Sequence, residues 1–245
     1  MTANTPEIRR SAVSPMECLK EGWAGIKDQY WLFLGIVFIG AFVGGAVPIV
    51  LFGPMMCGVY LCLLRKLRGQ PVEFAMLFKG FDYFVPGLVA AAIQFIPMFV
   101  ILGPFYIVMF VVMMTSAPRG RVTPDEASAY FMTVVLLYLA FMVVLMIVSF
   151  AVMIFFLFPY ALIVDRKMSG LDAVKASVKA GTANFGGILG LLMLNFLLVL
   201  AGVLVCYVGA FFTMPISFAS YATAYRKIFG DPPHTAESEP MTVAA

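Results

Sequence analysis

Four long apolar blocks, separated by short segments rich in Lys, Arg, Asp and Pro, dominate the chain. They cover residues 31–64, 85–114, 127–158 and 185–225. A helix crosses the hydrocarbon of a bilayer, about 30 Å thick, in about 20 residues. The first block is interrupted at Phe52-Gly53-Pro54 and the last near Tyr207-Val208-Gly209, so each reads as two passes. The pattern predicts an all-α membrane protein with six transmembrane helices in three hairpins, at 31–51, 54–68, 85–114, 127–158, 185–205 and 208–228. Pro97 and Gly103-Pro104 interrupt the third span, which is read as one kinked pass, because proline removes a backbone donor without ending the apolar run. Residues 31–64 are short for two passes, about 25 Å each at the α-helical rise. They either span tightly or dip and return.

A second pattern precedes three of the spans. Met16, Leu19, Trp23, Ile26 and Tyr30 recur at 3-4-3-4 spacing. Leu171, Val174, Val178, Gly181 and Phe185 repeat that spacing 155 residues later. Phe74, Leu77, Phe81, Phe84 and Leu88 repeat it at an offset of 58. This spacing puts one apolar stripe on a helix. Ser14-Pro15-Met16-Glu17 and Ser169-Gly170-Leu171-Asp172 read as helix starts of the capping-box type. The expected unit is an amphipathic interfacial helix followed by a two-span hairpin, present three times in one orientation. The exits correspond as well: Pro54 before Arg65-Lys66, Pro159 before Arg166-Lys167, and Pro215 before Arg226-Lys227.

Charge sets the orientation. Of the 16 Lys and Arg residues, 14 fall on one side of the six-span map. The other side holds only Arg119 and Arg121, balanced by Asp125 and Glu126. The positive-inside rule therefore predicts both termini in the cytoplasm. Lys20, Lys27, Lys79, Arg166, Lys167, Lys175 and Lys179 lie beside the interfacial stripes and are expected to meet lipid phosphates.

Composition agrees with a bilayer as solvent. Of 245 residues, 62% are hydrophobic and 12% charged, against about half and a quarter in soluble domains. The first apolar run begins near Trp31, too deep for a signal peptide, and reads as a retained span. Residues 1–13 are expected to be a flexible N-terminus, 14–230 a single membrane domain and 231–245 a disordered tail.

Catalytic chemistry is sparse. No charged residue falls centrally in any expected span, which disfavours proton-coupled transport. Cys18, Cys57, Cys62 and Cys206 form no C-x-x-C pair, and the one histidine, His234, lies in the tail, so no metal and no cofactor is expected. Gln94 and Asn195 are expected to bond between helices, with a solute pathway as the sharper reading. Gly40-x-x-x-Gly44 and Gly186-x-x-x-Gly190 permit close helix packing, within the chain or across a homodimer.

Pro54-x-x-x-Gly58, Arg68-Gly69, Phe74 to Phe78 with Gly80, Pro159, Asp165, Ala173, Ser177, Pro215 and Ala224-Tyr225-Arg226 form a recognisable set. Over residues 14–230 the chain resembles a broad group of bacterial multi-span membrane proteins of unknown function. That group is similar to the membrane domain fused to some glycerophosphodiester phosphodiesterases. The resemblance implies an architecture and an inner-membrane setting, and it transfers no catalytic residue. The leading expectation is a non-enzymatic scaffold, accessory or lipid-interacting module. Its partners would be membrane lipids and a protein partner or second copy, with no nucleic acid. The alternative is a small transporter or channel for an apolar or amphipathic solute. A third reading, a lipid-modifying enzyme, would use Asp82 or Asp165 at the cytoplasmic boundary.

Overall fold

The computed structural model describes residues 8–116, 123–205 and 208–231, and every regular element among them is helical. Helix α1 (Pro15–Ile26) passes through a 3-10 turn (Lys27–Gln29) into α2 (Tyr30–Ala46) and α3 (Phe52–Leu67). A 3-10 helix (Phe74–Tyr83) leads into α4 (Phe84–Ser116), α5 (Pro124–Phe155) and α6 (Pro159–Arg166). Then come α7 (Gly170–Ala183), α8 (Phe185–Val205) and α9 (Gly209–Phe229). Arg119, Arg121, Cys206, Tyr207 and His234, and nearly all of the expected tail, lie outside the described residues.

Among the described residues, four helical stretches are long and apolar enough to cross a membrane: Pro15–Ala46, Phe74–Thr115, Pro124–Arg166 and Phe185–Leu204. Helices α3 and α9 are not among them, and they form much of the core instead. Tyr60, Leu63 and Leu64 of α3, Leu162 and Ile163 of α6, and Tyr225 and Ile228 of α9 are almost completely buried. Helix α9 carries the buried Ser217, Ser220 and Thr223, which lower its hydropathy but find carbonyl partners within the helix. The remaining helices wrap these three and turn large apolar side chains outward, among them Val85, Phe131 and Leu204.

Helices α4 and α5 are the longest, at 33 and 32 residues. Each extends to about 50 Å, well beyond the hydrocarbon thickness. Pro97 and Pro104 lie inside α4, which continues through both as one helix. Helices α4 and α5 meet where Phe105 stacks on Phe141, with centroids 3.3 Å apart. Thr123 caps α5 with a complete capping box: its hydroxyl accepts from the Glu126 amide, and the Glu126 carboxylate accepts from the Thr123 amide. The Thr-Pro-Asp-Glu sequence carries that signal as plainly as Ser14 does.

Several expectations need correction. Ser14 makes no side-chain cap, whereas Ser169 accepts from the Asp172 amide at 3.2 Å. The stripe at 74–88 is not one α-helix. Its first ten residues form the 3-10 helix, whose three residues per turn put Leu77 and Gly80 on one buried face. The expected span 127–158 breaks after Phe155. Ser177 on α7 bridges the break, donating to the Phe155 carbonyl at 2.7 Å and accepting from the Phe158 amide at 3.2 Å. The Tyr60 hydroxyl donates to the Leu157 carbonyl. Backbone groups freed by the break are thus met from α7 and α3, the condition for buried irregular backbone. The N-terminal segment is docked from residue 9 onward: the Arg9 amide bonds Ile228, and Asn184 bonds both Ala12 and Arg9. Asp231, expected to begin a disordered tail, is held by Arg68 and Arg226.

Small residues set the crossings. A Cβ on Gly58 would collide with the Leu77 carbonyl, and one on Gly80 with the Pro54 carbonyl, so α3 and the 3-10 helix touch backbone to backbone. Gly22 meets the Ser220 amide in the same way, fixing α1 across α9. Gly40 and Gly44 pack on α3, so that motif serves the chain's own interior. In the second motif only Gly190 is packed, against Pro15, while Gly186 faces open space. Gly58→Ala is expected to destabilise the protein by about 1–3 kcal/mol through overpacking, whereas Gly186→Ala should leave the melting midpoint of detergent-solubilised protein unchanged.

Candidate functional site

The ends of α3, α6 and α9 converge with the start of α1 into one charged cluster. Asp165, at the end of α6, is its centre, with a side chain only 2% exposed. Its Oδ1 lies 2.5 Å from Arg68 Nη2, an ion pair without hydrogen-bond alignment. Its Oδ2 accepts from the Tyr225 hydroxyl at 2.9 Å. One carboxylate therefore joins the segments leaving α3, α6 and α9. Asp231 pairs with Arg68 and Arg226, while Arg226 also donates to the Leu67 carbonyl at 2.6 Å. Lys227 pairs with Glu17 and Glu21 of α1, and Lys66 with Asp28. Basic residues also complement the carbonyl ends of α3, α6 and α9.

Hydrogen bonding from Arg226 holds the Asp231 carboxyl below the usual carboxylate range; desolvation opposes this, and Arg68 adds to it. A depressed acid stabilises the fold above its ordinary value and loses that effect only as pH falls through the lowered one. The Asp231 tie is therefore complete at neutral pH.

Eleven of the cations fall into two sets, while Arg9, Arg10 and Arg65, also without an ion partner among the described residues, belong to neither. Lys66, Arg68, Arg226 and Lys227 are consumed by the cluster. Arg166 belongs with them, since its guanidinium donates to the Phe229 carbonyl at 2.6 Å rather than pointing to the surface. Lys20, Lys27, Lys79, Lys167, Lys175 and Lys179 are exposed. No ion partner within 4 Å is found for these six among the described residues. All six sit on or beside α1, the 3-10 helix or α7.

Those three elements share a side-chain pattern that the apolar stripe alone does not convey. Mostly small residues face inward, with one larger apolar side chain on each element: Cys18, Gly22 and Ile26 on α1, Gly80 and Leu77 on the 3-10 helix, and Ala173, Ser177, Ala180 and Val174 on α7. Large apolar residues face outward: Met16 and Trp23, then Phe74, Phe78 and Phe81, then Leu171 and Val178. Each element is thus packed closely at its small residues, and its lysines stand beside an exposed apolar surface.

The remaining site residues do not come together. The Gln94 Oε1 accepts from the Tyr160 hydroxyl at 2.6 Å, tying α4 to α6. Asn195 donates to the Ser220 hydroxyl at 3.0 Å, tying α8 to α9, and is 2% exposed. Each polar side chain has its own helix partner. Asp165 is occupied by Arg68 and Tyr225, and Asp82 is exposed on the 3-10 helix. Cys18, Cys57 and Cys62 are buried free thiols. Among the described residues, no three His, Cys, Asp or Glu side chains gather in a metal-holding group.

No family model matches the chain. No solved structure matches it. Over 73 residues it is 36% identical to an uncharacterized protein of Mycobacterium bovis, and equally to one of Mycobacterium tuberculosis. The match covers 30% of this chain and 22% of either relative, so the chain matches about a fifth of their length.

Removing one partner from a buried ion pair leaves an uncompensated charge, at a cost of about 3–5 kcal/mol. Because Arg68 keeps Asp231, Asp165→Ala is expected to cost less than that, about 1–3 kcal/mol for the groups left without an acceptor, and Arg68→Met added to it, which also removes the Asp231 pair, should not restore stability. A melting series of the two variants in detergent checks both outcomes.

Proposed function

We propose that this chain is a non-enzymatic multi-pass protein of the bacterial inner membrane that works as a lipid-interacting scaffold or accessory module. The carrying observation is the partition of its cations. Lys66, Arg68, Arg226 and Lys227 are paired with acids and Arg166 with backbone carbonyls, whereas the exposed lysines sit on or beside three elements that also present large apolar side chains. A surface that combines lysine with outward Phe, Trp and Leu suits the headgroup boundary, where apolar side chains enter the acyl region and ammonium groups meet phosphate. Each lysine near an anionic surface contributes on the order of 1 kcal/mol.

Six passes follow if α3 and α9 cross inside the shell made by the more apolar helices. A buried crossing helix need not be apolar all round, because its neighbours rather than lipid surround it. The order of elements supports three units, each an entry element followed by two long helices, with α6 appended to the second. The described ends of the chain, at Arg9 and Asp231, then lie with the charged cluster, on the cytoplasmic side by the distribution of Lys and Arg. The resemblance to bacterial multi-span membrane proteins points the same way. A solute pathway gains no support from Gln94 and Asn195, which are engaged with different helices.

Replacing Lys20, Lys79, Lys175 and Lys179 together by Gln is expected to reduce co-purifying anionic phospholipid several-fold, with the melting midpoint nearly unchanged. Native mass spectrometry of protein released from nanodiscs measures this directly. Undiminished anionic lipid in the variant would refute the interfacial reading.

A further inference from the structure

The elbow between α1 and α2 holds a surface cavity of about 410 Å³ lined by Trp23, Lys27, Asp28, Gln29, Tyr30 and Trp31. It contains both tryptophans of the chain. They are unusually open for such side chains, with Trp23 43% and Trp31 74% exposed. Between them Tyr30 is fixed: its ring meets Trp23 edge-on at 5.6 Å and Trp31 at 5.7 Å, and its hydroxyl donates to the Phe212 carbonyl at 2.5 Å. Trp31 also rests against Phe212 at 6.3 Å. The aromatic wall is therefore built by the fold.

Its polar groups are mixed in sign. Lys27 is exposed and lies outside every ion pair of the cluster. Asp28 gives Oδ2 to Lys66, and its carboxylate remains 59% exposed. Gln29 adds an exposed amide at the same edge. A purely apolar ligand would strip water from Lys27, Asp28 and Gln29 without replacing it. A purely anionic ligand would suit Lys27 but face the open side of the Asp28 carboxylate. An ammonium held over indole faces and beside Asp28, with a phosphate held by Lys27, satisfies every group present.

We infer that this elbow binds a zwitterionic phosphate-ammonium headgroup of the ethanolamine or choline type. The inference rests on the interfacial placement of α1 and assigns that surface one specific ligand chemistry. The same chemistry exists in a membrane phospholipid and in a free phosphoamine. In the phospholipid, Trp23, Trp31 and Leu32 would lie along the start of the acyl chains.

Because both tryptophans line the cavity, intrinsic fluorescence reports on it without labelling. Full-length protein in maltoside detergent would be titrated with short-chain phosphatidylethanolamine, short-chain phosphatidylglycerol and free phosphoethanolamine. The expected result is a saturable change with phosphatidylethanolamine, about tenfold weaker binding of phosphatidylglycerol and little response to free phosphoethanolamine. Lys27→Gln should weaken binding of both lipids. Asp28→Asn should weaken phosphatidylethanolamine alone, narrowing the difference between them. Both are exposed positions, and a melting midpoint for each variant separates lost binding from lost fold. Equal response to free phosphoethanolamine would uphold the chemistry and assign it to a soluble ligand. A non-saturating change, the same with every lipid and in Lys27→Gln, would overturn the site and leave only an aromatic girdle. Tighter phosphatidylglycerol binding would overturn it as well. The four-lysine variant keeps Lys27, so a silent titration beside intact lysine-dependent lipid retention would reject this site while sparing the interfacial reading.

Discussion

A buried carboxylate has to be compensated, and the rest of the molecule is arranged around how Asp165 is. Its two oxygens take Arg68 from the segment after α3 and Tyr225 from α9, while Asp165 itself ends α6. Dehydrating a carboxylate costs several kcal/mol, which the adjacent Arg68 guanidinium and the Tyr225 hydroxyl offset. The pairing holds when the ends of the three core helices converge, and it is lost when any of them slides by a turn. Phe158 reinforces the same junction, with its ring 6.3 Å from Tyr225 and 6.0 Å from Phe229. Arg226 and Asp231 then close the cluster toward solvent, and Lys227 fastens α1 across it.

With the core helices joined at one end, the outer elements pack by their small residues. Backbones touch at Gly58 with Gly80 and at Gly22 with Ser220, so close approach replaces large side chains at those contacts. Large apolar side chains are released to the outside, the reverse of a water-soluble fold. The helix break at 156–158 shows the same economy of polar groups: Ser177 and Tyr60 satisfy its backbone from neighbouring helices, which leaves the break structural.

Much of the architecture was legible along the chain because length and apolar content act locally. The long runs became α2, α4, α5 and α8, and the stripes from 16 and from 171 fell on α1 and α7 except for their last residues, Tyr30 and Phe185, which open α2 and α8. The motif residues that carried the family resemblance turn out to be contact points: Gly58 and Gly80 at a crossing, Ser177 at the break, Asp165 and Tyr225 at the junction. What stayed hidden depends on partners distant in sequence. Lys227 and Glu17 are 210 residues apart, so nothing local separates this paired lysine from the unpaired Lys20. Arg166 and Asp231 looked like surface and tail for the same reason. The 3-10 helix escaped because a run of Phe fits 3-4 spacing as readily as three-fold spacing, and only the Gly80 crossing decides between them.

If the protein works as proposed, α1, the 3-10 helix and α7 lie at one leaflet boundary, approached closely from inside at their small residues and meeting lipid by their large ones. Spin labels placed singly at Lys20, Lys79 and Lys175 in nanodiscs, with collisional accessibility to oxygen and to a water-soluble nickel complex, measure their depth. One shared shallow depth in the headgroup zone is expected for all three. A label in bulk water without lipid contact, or one in the opposite leaflet, would contradict it.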